Sequence, residues 1–400
     1  MPDQFSPTHS EQFLSYLIQK YPGLMEANQL ASQEPISPNL ISPFVVELPR
    51  SVLEQAREII STLFALAHQE NYRDYYQPQT QALGLQNPGN YGIMMSYDFH
   101  IDGSGNLKLI EVNTNAAFLI LGYELYQMRA LAPSCSNFTL DTLKECIINE
   151  LSLSQTNEKY QKHDSIKAAI IDDKPDQQRL YFEFLVAREL FKKFGFESEI
   201  LDSQDLKIGD FGFVYNRDTD FYLSSERTRN LKTLYDSGKI CLSPNPFEYF
   251  LLADKQRMIE WGQSEWQIFL GLNQKQLEII HKHVPLCLDL AKISPEEVWN
   301  LRKKLFFKPK RAFGSKQTYR GSSMSRKVFE NFLPEEFLAQ EYVPAAEISC
   351  ATPEGSQNFK YDLRCYAYMG ELQLVMARLY QGQVTNSKTP YGGFACVQFS

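Results

Sequence analysis

The chain has 400 residues, room for two or three domains at about 150 residues each, and its 43% hydrophobic and 22% charged content excludes a disordered polypeptide. A net charge of −8 argues against a general nucleic-acid surface or an anionic-membrane binder, both of which need basic patches. No apolar run reaches the roughly 20 residues of a membrane span, and the polar start MPDQFSPTHSEQ has no signal-peptide pattern.

In chain order, residues 10–20 and 51–69 carry apolar positions at helical spacing (Phe13, Leu17, Ile18; Leu53, Ala56, Ile59, Ile60, Leu63, Leu66), separated by Pro-containing stretches at 35–49. Residues 1–90 therefore read as a helical N-terminal region. Within 91–150, YGIMMSYDFHIDGSGNLKLIEVN is a hairpin signal with a Gly-rich tip, and AAFLILGYELYQMRAL reads as a mostly buried helix. The polar SLSQTNEKYQKHDS is a linker. Over 166–245, strand KAAIIDD, an amphipathic helix, strand ESEILD and strand FGFVYNR predict a small parallel sheet. Residues 246–400 begin helical, through about 300, and return to strands at LFFKPK, FLAQEYVPA and KYDLRCYAYMGELQLVMARLY. The expected fold class is α/β. The seven cysteines (Cys135, Cys146, Cys241, Cys287, Cys350, Cys365, Cys396) are scattered and form no C-x-x-C pair, which predicts reduced thiols and a cytoplasmic location.

Four stretches carry chemistry. In the hairpin, a period of two puts Asp98 and His100 on one face and Glu111, Asn113 and Asn115 on one face of the return strand. A four-residue tip centred between Ser104 and Gly105 sets Asp98 opposite Glu111, where two carboxylates repel unless a cation separates them or one is protonated. With an Asn carbonyl nearby, this suits Mg²⁺; a solvated edge hairpin is the alternative, and His100 reads as structural. Next, LFFKPKRAFGSKQTYRGSS exposes Lys308 and Lys310 on one face and runs into a loop with Gly314, Ser315, Lys316 and Gly321, an anion cradle or a solvated basic loop. The strand ending Gln340-Glu341-Tyr342-Val343 offers edge groups suited to adenine and ribose. Finally, DLR and ARL place Arg364 and Arg378 on adjacent strands, without obvious carboxylate neighbours, as holders of an anion or as an ordinary surface pair.

Together these stretches resemble the ATP-grasp ligases. The resemblance makes Lys308, Lys310 and the Gly314–Ser315–Lys316 loop phosphate-binding, Gln340, Glu341, Tyr342 and Val343 adenine-binding, and Asp362 part of the nucleotide site. It also makes Arg364 and Arg378 catalytic, and Asp98, Glu111 and Asn113 ligands of one or two Mg²⁺ ions. QGQVTNSKTPYGG looks like the segment that closes the site in glutathione synthetase, which adds Asn386 as catalytic and Gly392–Gly393 as relevant. The metal segment normally comes last; here it lies near residue 100, resembling the circularly permuted, glutathionylspermidine synthetase-like branch. PNPFEYFLLADKQRMIEW matches that branch's helix, with Lys255 reaching ATP. The implied fold is a circularly permuted ATP-grasp with an α/β pre-grasp domain at 166–245. The implied reaction joins a small-molecule or peptide carboxylate to an amine (less readily a thiol) through an acyl phosphate. A kinase on the same fold and a non-catalytic ATP-binding scaffold are the alternatives. No nucleic-acid or membrane partner is expected, and the oligomeric state stays open. VYNRDTDF (214–221) stands at a parallel strand's end, either as a ligand-binding cluster or as a self-capped loop.

Overall fold

The computed structural model describes residues 8–25, 36–135, 137–154, 166–207, 211–310, 317–386 and 388–400. Their mixed α/β architecture contains three sheets. The largest has seven strands: β1 (Ile41–Leu48), β2 (Met95–Ile101), β3 (Leu107–Asn113), β12 (Ala346–Thr352), β13 (Gly355–Tyr368), β14 (Glu371–Tyr380) and β15 (Gly393–Phe399). Its order is β1-β15-β14-β13-β2-β3, with β12 added on β13. The hairpin near residue 100 is thus stitched into the strands of the last fifty residues, β2 pairing antiparallel with β13 over Met95–Phe99.

Period-two burial explains why this sheet needs cover on both sides. Leu363, Cys365 and Ala367 of β13 face a core shared with the helix Arg50–Ala67. Tyr366, Tyr368, Leu374 and Met376 face a second core with the helices Leu119–Met128 and Tyr181–Lys193. Asp362, Arg364 and Arg378 share that second face, at the part of the sheet the helices leave open to a cavity.

β4 (Lys167–Asp172), β5 (Glu197–Asp202), β6 (Phe213–Asn216) and β7 (Cys241–Ser243) form the parallel sheet, in the order β5-β4-β6-β7. The third sheet is antiparallel, β10-β9-β11-β8, from β8 (Cys287–Asp289), β9 (Leu305–Pro309), β10 (Tyr319–Arg320) and β11 (Phe337–Glu341).

The N-terminal 90 residues are not wholly helical: 41–48 is a strand, parallel to β15. Pro43 had marked this stretch as a break, but β1 is an outer strand whose register slips between Ile41 and Val45, where a proline costs no ladder bond. Gly393 serves this junction. It adopts φ +97°, and a β-carbon there would lie 2.4 Å from the carbonyl oxygens of Asn39 and Leu40. All seven cysteines are free and buried. Among the described residues no helix is long and apolar enough to cross a membrane.

Candidate functional site

Two β-bulges set the charged face. In the β2–β3 hairpin, Phe99 opposes Leu109 but Asp98 opposes Glu111, so Ile110 is an extra residue. Continued without it, the register would turn Glu111 to the face of Tyr97, into the apolar core. The expected Asp98–Glu111 opposition is therefore present, produced by a bulge rather than by the tip alone. In the β13–β14 hairpin, Ala367 opposes Leu372 but Tyr366 opposes Leu374, which makes Gln373 the extra residue. That shift sets Asp362 directly opposite Arg378, while Arg364 lies opposite Asp98 across the β13–β2 seam.

The result is a row of charges across four strands. Asp98 is 1% exposed and accepts from Arg364 Nε at 2.9 Å and Nη2 at 2.7 Å, from Arg378 Nη2 at 2.9 Å, and from Ser96 Oγ at 3.1 Å. Asp362 accepts from Arg378 Nε at 2.7 Å and Nη2 at 3.0 Å, and from Thr385 Oγ1 at 2.6 Å. Each arginine spends its Nε–Nη2 edge on a carboxylate, the bidentate geometry that fixes a guanidinium plane. Burial would raise the Asp98 carboxyl, yet Arg364 and Arg378 outweigh it and hold it at about 2. Burial likewise works against Glu111, and Lys255 and Lys308 overcome it, keeping its pKa below the ordinary glutamate value.

These groups line one side of a cavity of about 600 Å³. On a second side, Lys308 Nζ donates to Gln340 Oε1 at 2.7 Å and to the carbonyl of the bulged Ile110 at 3.0 Å. Burial depresses the pKa of Lys308, with Glu111 opposing that shift. Glu341, Tyr342 and Val343 continue this side, and Lys255 Nζ stands 3.9 Å from Glu111 Oε2. The third side is the C-terminal edge of the parallel sheet: Asp172, Gln178, Arg179, Arg217, Thr219 and Phe221. In all, seven lysines and arginines line the cavity against five acids, the reverse of the chain's balance.

Most residues expected from the sequence meet here: Asp98, Glu111, Asn113, Lys255, Lys308, Gln340, Glu341, Tyr342, Val343, Asp362, Arg364 and Arg378 all line the cavity. Their environments correct several expectations. Arg364 and Arg378 do have carboxylate partners, Asp98 from a strand distant in sequence and Asp362 from the other arm of the Arg378 hairpin, so an anion between two unpaired arginines is not their resting state. The cation between the hairpin carboxylates is a guanidinium on Asp98 and an ammonium beside Glu111. The Gln340 side chain is buried against Lys308 rather than offered to a base. Lys310 turns away to an ion pair with Asp289 at 3.1 Å. Asn386 lies outside the cavity lining; its Nδ2 donates to Gln381 O at 2.8 Å and its Oδ1 accepts from Thr389 Oγ1 at 3.0 Å. Gly314, Ser315 and Lys316 lie outside the described residues, and the end of their loop, Gly321, packs where a β-carbon would sit 2.0 Å from Arg302 O.

His100 lines the cavity and donates from Nδ1 to Val343 O at 2.8 Å, tying the hairpin to the chain just after β11. In the 214–221 cluster, Asn216, Asp218 and Asp220 accept from local backbone N–H groups as a self-capped loop does, while Arg217, Thr219 and Phe221 line the cavity. Sequence reasoning missed Ser96, Thr385, Asp172 and Arg179. Ser96 lies two residues before Asp98 on its face, and Asp172 ends a parallel strand, so both carried a usable signal. Thr385 reaches Asp362 from a loop; its only signal was its place beside Asn386 in the QGQVTNSKTPYGG segment.

Among the described residues no group of three or more His, Cys, Asp and Glu side chains could hold a metal ion. Asp98 does not fit a ligand role while both its oxygens accept from arginines. Glu111, 31% exposed at its side chain, with Asn113 beside it, fits the one or two protein ligands that Mg²⁺ takes when phosphates supply the rest.

No family model and no curated protein sequence matches the chain. Among solved structures, the chain is similar to a glutathione synthetase-like effector from Globodera pallida, in apo form. The TM-score is 0.56 at 11% identity, over 96% of this chain and 97% of that one. At that identity the likeness is one of fold. A proposed gamma-glutamylcysteine synthetase from Methylobacillus flagellatus matches at 11% identity over 84% of each chain with a TM-score of 0.42, too loose to argue from.

Proposed function

We propose that this chain is an ATP- and Mg²⁺-dependent ligase of circularly permuted ATP-grasp type, joining a carboxylate to an amine through an acyl phosphate. The observation that carries the reading is the single cavity in which Lys255, Lys308, Arg364 and Arg378 converge beside Glu111 and Asn113, although the chain as a whole is acidic. A synthetase-like fold over nearly the whole length supports it.

On this reading Lys255 and Lys308 attract the phosphates, and Arg364 and Arg378, already oriented by Asp98 and Asp362, steady the transferring phosphoryl group with little reorganisation. Glu111 and Asn113 would hold Mg²⁺ together with phosphate oxygens, and its charge would offset that of the β- and γ-phosphates. The base lies along Glu341–Val343, read by what the backbone offers beside the engaged Glu341 and Tyr342 N–H groups and Val343 carbonyl, the Gln340 side chain being held by Lys308. The acid and amine substrates occupy the parallel-sheet edge, at Asp172, Arg179 and Arg217.

A thermal-shift titration with MgATP tests the reading. Binding should stabilise the chain by about 2.7 kcal/mol at a hundredfold excess over Kd. No shift with any nucleotide, with or without Mg²⁺, sinks it. Glu111→Gln should preserve the fold and cost at least ~100-fold in turnover, equivalent to ~2.7 kcal/mol. Product analysis separates an amide from the phosphate ester of a kinase. A second reading, nucleotide binding without catalysis, draws on the arginine-saturated Asp98; it predicts MgATP binding with no ADP release in the presence of any acid and amine.

A further inference from the structure

Lys255 is carried on an unusual turn. The backbone N–H of Asp254 donates to Tyr249 O at 2.9 Å, five residues back, and Tyr249–Ala253 forms a π-helical turn. Such wide turns are rare and frequently mark functional positions. Asp254 then caps the helix Gln256–Trp261, its Oδ1 accepting from Gln256 N at 2.9 Å. The position of Lys255 therefore depends on both ends of this turn.

Both ends are gripped by consecutive residues of the loop that follows β6. Phe221 stacks flat on Tyr249, ring centroids 4.3 Å apart and planes 4° from parallel. The Tyr222 hydroxyl donates to Asp254 Oδ2, and the Tyr222 ring meets the edge of Tyr249 at 5.2 Å. The loop is itself stiff. Asp220 accepts from the backbone N–H groups of Ser224 and Ser225 and from Thr228 Oγ1. From the other direction, Asn115, two residues beyond Asn113, donates to the carbonyls of Arg217 and Asp218 at 3.2 and 3.1 Å. One loop thus joins the substrate-side edge, the lysine turn and the hairpin.

We propose that Tyr222 is a positioning residue for Lys255: by holding Asp254 it fixes the π turn, so that the loop bearing Arg217 and the lysine facing Glu111 move as one unit. Tyr222 does not line the cavity, whereas Thr219, Phe221, Tyr249 and Lys255 do, so its effect on a ligand passes through the turn. The inference rests on the nucleotide reading of Lys255. It adds that occupancy of the Arg217 side and of the phosphate side is energetically linked, as reciprocal coupling requires.

Isothermal titration with MgATP on the full chain tests it, using wild type, Tyr222→Phe, Lys255→Met and the double variant. Phe keeps the ring and its contact with Tyr249, and melting temperature checks the fold. Tyr222→Phe should weaken MgATP about tenfold, the scale of a lost hydrogen bond to a charged group. In the Lys255→Met background the same change should cost less than about twofold, because groups acting as a unit are not additive. A Tyr222→Phe affinity equal to wild type, or equal losses in both backgrounds, overturns the proposal. Failure of wild type to bind MgATP overturns the nucleotide reading instead. Should Tyr222→Phe not fold, Asp254→Asn, which keeps the cap to Gln256, is compared in the same two backgrounds under the same criteria.

Discussion

On the seven-stranded sheet Asp98 is buried between two guanidinium groups and held at about 2; across the cavity Asp172 is buried almost as deeply, yet among the described residues it belongs to no ion pair. Burial pushes Asp172 up to about 7, with Arg217 opposing the rise and Asp218 and Asp173 adding to it. Arg217 faces Glu183 through Nη1 at 3.0 Å, while its buried Nε meets no hydrogen-bond partner among the described residues. One side of the cavity thus has its acids and arginines paired with one another; the other holds a carboxyl with no ion pair among the described residues and a guanidinium paired with Glu183 whose buried Nε is left over. On the proposed ligase reading, phosphates carry the same charge in every turnover, so a rigid, prepaired set of cations would suit them. On the same reading, a substrate edge that takes up and releases polar groups would gain from a carboxyl that no ion pair holds.

The largest effect should come from breaking the paired side. Asp98→Asn keeps the shape but leaves Arg364 and Arg378 without their shared charge, and loss of one member of a buried charge network costs about 3–5 kcal/mol. Urea denaturation at neutral pH measures it. The pH dependence has a definite sign. The folded carboxyl lies near 2 and the unfolded one near 3.9. Its contribution, about 2–3 kcal/mol, is therefore complete above pH ~4 and disappears as pH falls toward 2, so wild type and variant should converge in acid. A variant as stable as wild type at pH 7 would remove the contrast.

A smaller effect of opposite sign belongs to Asp172. Its folded pKa lies above the unfolded value, so its ionisation opposes folding, increasingly from pH ~4 to ~7 and constantly above. Asp172→Asn should accordingly stabilise the apo chain at pH 8, by up to about 4 kcal/mol, and hardly at all at pH 4. Absence of any gain at pH 8 would mean that Arg217 keeps the carboxylate ionised at little cost, and the two sides would then be alike.

The sequence carried this contrast unevenly. Local alternation sufficed for the β2–β3 and β13–β14 hairpins and for the parallel sheet, because each is a run of neighbours with a readable period. The facing of Arg378 was not readable in that way, and that of Glu111 was reached from the position of the tip rather than from the bulge that produces it. Both depend on Ile110 and Gln373 being bulged, and a single-residue bulge changes no composition and little periodicity. The partners of Arg364 were likewise hidden, since Asp98 lies 266 positions away and the pair exists only through the β2–β13 seam. β1 was missed because Pro43 imitates a break, and β12 because its exposed, polar alternation offers little apolar signal. The parallel edge was legible as topology, a strand end that could hold a ligand, but not as chemistry: the raised carboxyl of Asp172 and the leftover Nε of Arg217 depend on packing.

The smallest effect asks how far the pairing of the charged side extends into its rim. The loop after β14 carries Thr385 onto Asp362 and brings Gln383 and Val384 to the cavity. Asn386 organises that loop: Nδ2 donates to Gln381 O and Val384 O at 2.8 and 3.2 Å, and Oδ1 accepts from Lys388 N and Thr389 Oγ1, both at 3.0 Å. With both ends of its amide used internally, Asn386 shapes the rim rather than lining the cavity. Asn386→Ala should lower stability by about 1 kcal/mol, the net worth of such hydrogen bonds at a half-exposed position. It should change MgATP affinity by less than about threefold, through Thr385 alone. Thr385→Val, which removes the hydroxyl from Asp362 without disturbing the rest of the loop, provides the reference. If Asn386→Ala weakens MgATP far more than Thr385→Val does, Asn386 leaves its loop contacts and reaches the nucleotide directly. The rim would then belong with the parallel edge rather than with the paired side.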